Sequence, residues 1–155
     1  MIKLLPFLLI LPIAPVQAIE RGAFLSTLNR AGVSVVERRQ CGRERNNVAV
    51  YFFKRNQICL STRHTRTYSS LDRALTHEAV HAVQDCLAGQ RNSQLQTLSA
   101  TAGQSVAPFI RELEPFQLSF IQSQYPQSRW DIEIEAYALE TRPAAVAELL
   151  SAVCP

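Results

Sequence analysis

The run His77-Glu78-Ala79-Val80-His81 limits what this chain can fold into more than any other feature. Two of the three histidines in the chain stand here, four residues apart. On a strand that spacing would separate them by about 13 Å. On an α-helix it stacks them on one face, one turn apart. If the pair acts together, the segment is helical. The surrounding residues agree: Ala74, Val80, Val83 and Leu87 recur at helical spacings. Ser69-Ser70-Leu71-Asp72 offers a capped start and Gly89 a stop, so a helix is expected from about Ser69 to Leu87.

Residue type then narrows the chemistry. Two imidazoles at this spacing can hold one Zn2+ through ring nitrogens about 2.0–2.1 Å away. Glu78 is displaced around the helix, so its carboxylate can serve as general base toward a zinc-activated water without ligating the metal. His77 and His81 are thus the expected ligands, Glu78 the expected catalytic group and Zn2+ the expected cofactor. A catalytic zinc usually has three protein ligands, so a later element must supply another. The stretch Trp130 to Glu140 is dense in carboxylates, among them Glu133 and Glu135. Trp130 to Ala136 alternates apolar and polar, as a strand would, but the Ala, Leu and Glu content favours helix.

Met1-Ile2-Lys3 gives a positive start, Leu4 to about Val16 an apolar run, and Val16-Gln17-Ala18 a small-x-small exit. This is the layout of a secretory signal over residues 1–18, leaving 19–155 as one domain. The run is short for a bilayer and is broken by Pro6, Pro12 and Pro15, so no stable membrane span is expected after its removal. The even cysteine count, Cys41, Cys59, Cys86 and Cys154, reads as two disulfides in a secreted or periplasmic protein. Four cysteines allow three pairings; the layout favours Cys41 with Cys59, stapling neighbouring strands, and Cys86 with Cys154, tying the C-terminus to the motif helix. With no C-x-x-C pair, a thiolate zinc knuckle is not expected. The net charge of +3 gathers largely between Arg38 and Arg66, where no nucleic-acid motif accompanies it. A solvated face, and no nucleic-acid partner, is the expectation.

Along the chain, Arg21 to Ala31 reads as a helix ended by Gly32, Val33 to Val36 as a strand, Val48 to Phe53 as the strongest strand, and Gln57 to Ser61 as its return. Residues 90–104 suit a loop or weak helix, Ala107 to Ser123 a helix broken near Pro115, and Pro143 opens a last helix through Val153. The fold class is α+β: a small antiparallel sheet, the motif helix, and a helical C-terminal part. A monomer acting on peptide or protein substrates is the expectation for this layout.

The run Leu75-Thr76-His77-Glu78-Ala79-Val80-His81-Ala82-Val83-Gln84-Asp85-Cys86 resembles the active-site helix of zincin metallopeptidases of the gluzincin kind. It is particularly similar to the family of the mitochondrial intermembrane-space peptidase that matures an ATP synthase subunit. The resemblance covers this helix and one downstream segment. It implies a zincin-like fold and a zinc endopeptidase activity. It also implies a downstream glutamate ligand three residues before an alanine. Glu133 with Ala136 matches, and Glu135 with Ala138 is the alternative. Related gluzincins place Asp or Asn four residues after that ligand, to support a motif histidine; here Tyr137 stands there, and Asp85 is a further candidate for such support. Tyr68, Tyr125, Tyr137 and His64 are unranked candidates for oxyanion donor. Val48 to Phe53 is expected either as a substrate-pairing edge strand or as a core strand. The short chain and Tyr137 also admit a catalytically inactive zincin scaffold that binds a partner.

Overall fold

Helix α1 (Arg21–Arg30) stops where Gly32 takes φ +73°, a left-handed conformation open to a residue without Cβ. The computed structural model describes residues 19–43, 47–63, 68–90 and 94–154, with residues 68–71 described by their backbone. The expected leader, residues 1–18, lies outside the described residues, as do His64 and the Tyr68 side chain.

Three strands follow α1: β1 (Ser34–Arg38), β2 (Ala49–Phe52) and β3 (Gln57–Ser61). A short 3-10 turn over Phe53–Arg55 joins β2 to β3 as an antiparallel hairpin. The sheet as a whole is mixed, in the order β1-β3-β2, because β1 runs parallel to β3. This corrects the expectation of an antiparallel sheet, and Asn56 gives the reason. Asn56 is buried, holds φ +48° and immediately precedes β3. Its side-chain amide donates to Gly32 O at 3.0 Å and its carbonyl accepts from Ser34 N at 3.0 Å. The two strands therefore start side by side and must run the same way. The connection from β1 passes over to the far side of β3, and the Cys41–Cys59 disulfide clamps it to that central strand. β2 is left as an edge strand among the described residues.

Helix α2 (Tyr68–Leu87) packs against β2 and β3 and against two C-terminal helices, α6 (Trp130–Leu139) and α7 (Pro143–Val153). Leu75, Ala79, Val80, Ala82 and Val83 of α2 are fully buried, and so are the polar Gln84 and Asp85. A helix enclosed on most sides must satisfy its polar groups inside the protein. Gly89, at φ +94°, ends α2, with Gln90 N donating to Asp85 O at 2.7 Å. Between α2 and α6 lie three short helices, α3 (Leu98–Thr101), α4 (Ala107–Ile110) and α5 (Gln117–Gln124). The break expected near Pro115 separates the last two. A 3-10 turn over Gln127–Arg129 leads into α6.

Disulfide Cys86–Cys154 ties the end of α2 to the end of α7. Both pairings are the favoured ones, and two disulfides fit an oxidising, extracytoplasmic compartment. Among the described residues no helix is long and apolar enough to cross a membrane.

Candidate metal centre

Helix α6 settles the ambiguity of its sequence by being buried nearly all round. Ile132, Ile134, Ala136, Ala138 and Leu139 are buried, and so are three carboxylates: Glu133 at 1% exposure, Glu135 at 0% and Glu140 at 6%. Each would be very costly as an isolated charge, so its partners reveal its role.

Glu135 is fully engaged. It accepts from Leu98 N and Ser99 N at 2.8 Å, from Ser99 Oγ at 2.7 Å and from Gln84 Nε2 at 3.1 Å. It satisfies free donors at the start of α3 and stands outside the group that faces the histidines. Glu140 is also satisfied. Its Oε1 accepts from Arg73 Nε at 2.7 Å and Gln117 Nε2 at 2.9 Å, and its Oε2 meets His77 Nδ1 at 3.2 Å.

Glu133 differs. Its Oε1 accepts from Arg129 Nη2 at 2.8 Å. Its Oε2 is buried without a hydrogen-bond partner, 3.5 Å from His77 Nε2 and 3.6 Å from His81 Nε2. Ligand atoms of His77, His81 and Glu133 all lie within 4.8 Å of one another.

The histidine protons follow from their neighbours. Gln84 Nε2 donates to Ile132 O and to Glu135, which fixes the amide and turns its Oε1 to His81 Nδ1 at 2.8 Å. His81 Nδ1 therefore carries hydrogen, as does His77 Nδ1 beside the Glu140 carboxylate. In the neutral tautomers, both Nε2 lone pairs then face Glu133 Oε2. Three electron-pair donors converge with no proton donor between them, an arrangement that suits a cation. The donor set, two imidazoles and one carboxylate, fits zinc. Without a metal, His77 takes the cation's place. Burial alone would lower its pKa, but Glu133 and Glu140 outweigh burial and raise it to about 10. Burial would raise Glu133, yet the two histidines hold it well below the usual carboxylate range.

A cleft of about 250 Å³ opens on this cluster, walled by Ala49, Tyr51, Tyr125 and Arg129 among others. Glu78 lines it, and its Oε2 accepts from Tyr51 N of edge strand β2 at 2.7 Å. Of the candidate oxyanion donors, Tyr125 lines this cleft among the described residues; burial, then Glu133, raises its pKa and keeps the hydroxyl protonated. Tyr137 packs its ring edge-on against His77, centroids 4.6 Å apart. His77 Nδ1 is met by Glu140 Oε2, two helical turns after Glu133. Beside His81 stands Gln84, while Asp85 accepts the Tyr51 hydroxyl at 2.8 Å.

Sequence reasoning missed Glu140, Gln84 and Arg129. Two were legible in principle. Glu140 and Arg129 stand seven after and four before Glu133, spacings that keep them near one face of a helix. Gln84 stands three after His81, also on one face, but the orientation of its amide depends on where α6 packs.

A family model described as a domain of unknown function, DUF8637, matches residues 13–155. No curated protein and no solved structure gives a significant match.

Proposed function

The chain belongs to the DUF8637 family, whose function is unassigned, and on the strength of its own site we propose that it is an exported zinc-dependent endopeptidase of zincin type. The observation that carries this reading is the buried, partnerless Glu133 Oε2 facing His77 and His81. In this reading His77, His81 and Glu133 hold the metal. Zinc, when bound, supplies a Lewis acid that polarises a carbonyl and brings the pKa of water to about 7.

The chain's own groups do the rest. Glu78 is held at the cleft wall by the Tyr51 amide, which fixes the orientation of the carboxylate. It takes a proton from the attacking water and gives it to the leaving amine. Tyr125 keeps its proton and is placed to donate to the carbonyl oxygen as charge builds there. Edge strand β2 offers backbone groups along the same cleft. Because Tyr51 N–H turns away from β3, alternation turns the peptide groups of Ala49 outward too, so an extended peptide can pair there.

The test compares wild type with Glu78→Gln, both purified without chelator and assayed on peptide libraries. The expected result is zinc in both proteins, with cleavage by wild type lowered at least ~100-fold in the variant. Zinc in both with cleavage by neither returns the alternative, a metal-binding scaffold without turnover. Metal-free wild type overturns the reading.

A further inference from the structure

We propose that Arg129 is a positioning residue for the metal: it occupies one oxygen of Glu133 and so fixes which oxygen ligates, and how many do. The inference rests on the zinc-site reading above but not on catalysis.

Arg129 closes the 3-10 turn over Gln127–Arg129 and directly precedes α6. Glu133 lies one helical turn later, so the pair faces along one side of the helix. An i,i+4 pair in water contributes little. This pair is different in kind, because the Glu133 side chain is 2% exposed and the Arg129 side chain 45%. The guanidinium reaches in from the cleft wall and takes Oε1 at 2.8 Å. The carboxylate plane is then set, and Oε2 is the oxygen left over, 3.5 and 3.6 Å from the two histidine nitrogens.

Two consequences follow. A free carboxylate rotates about its terminal torsion, which is broad and roughly two-fold, and either oxygen, or both, can approach a cation. With Oε1 held, Glu133 would offer one oxygen, so that His77, His81 and Glu133 together would supply three ligand atoms. The arginine also holds the ligand carboxylate in place before metal arrives, so less ordering is left to metal binding.

The experiment measures zinc affinity by chelator competition for wild type, Arg129→Ala and Arg129→Lys, and the visible spectrum of each with Co2+ in place of Zn2+. Arg129 is half-exposed, so both variants are expected to fold, and melting of the chelated proteins checks this. The expected result is a 10–100-fold loss of zinc affinity in Arg129→Ala, partly recovered in Arg129→Lys. The intense visible bands of a four-coordinate Co2+ site should weaken in Arg129→Ala as Glu133 becomes free to ligate through both oxygens. Wild-type affinity and spectrum in Arg129→Ala overturn the proposal. So does a loss of affinity with an unchanged spectrum, which leaves the number of ligating oxygens unaltered. Zinc binding with this Arg129 effect but no peptidase activity would uphold the inference while removing the endopeptidase reading. Cleavage by a wild type whose Arg129→Ala variant behaves identically would do the reverse.

Discussion

Two buried groups of opposite sign define the centre. His77 is raised to about 10, while Glu133 is held below its ordinary value near 4.5. Both shifts belong to the metal-free protein and carry a pH signature of definite sign. His77 binds its proton more tightly folded than unfolded, so its contribution is complete below about pH 6.5 and is lost as pH rises through 10. Glu133 holds its proton less tightly folded, so its contribution is present above about pH 4.5 and fades as pH falls below that. The chelated protein is therefore expected to melt at a lower temperature at pH 10 than at pH 7. With zinc bound, His77 is a neutral ligand at both values, and the drop should shrink. Thermal melts at the two pH values, with and without chelator, check this; an equal drop in both forms would contradict it.

At the scale of elements, what the sequence revealed is what local chemistry decides. The β2–β3 hairpin, the extent of α2 with its Gly89 stop, and α7 from Pro143 all follow from turn residues, periodicity and helix ends. The parallel pairing of β1 did not show, because it depends on Asn56 reaching Gly32 across 24 residues. The choice between Glu133 and Glu135 was equally hidden. They stand two residues apart, about 200° around the helix, so α6 turns one toward the histidines and the other toward α3. Their substitutions should separate cleanly. Glu135→Ala leaves the donors of Leu98, Ser99 and Gln84 without this acceptor and is expected to cost about 2–4 kcal/mol while zinc is retained. Denaturant unfolding together with metal analysis tests this, and loss of zinc at unchanged stability would reverse the assignment.

For the whole molecule, the site is a meeting of parts that are distant in sequence. Helix α2 brings two histidines and Glu78, α6 brings Glu133 and the turn before it Arg129, and edge strand β2 closes the cleft. Disulfides hold the arrangement at two places, one on the central strand and one joining the ends of α2 and α7. Nothing in this assembly requires catalysis, but the convergence of two imidazole nitrogens on a buried carboxylate oxygen suits a metal cation. The most direct measurement is the zinc content of the folded, oxidised protein purified without chelator, beside His77→Ala and Glu133→Ala. About one zinc per chain in wild type, and little in either variant, is the predicted result. A wild type that stays metal-free even after incubation with excess Zn2+ would contradict the account.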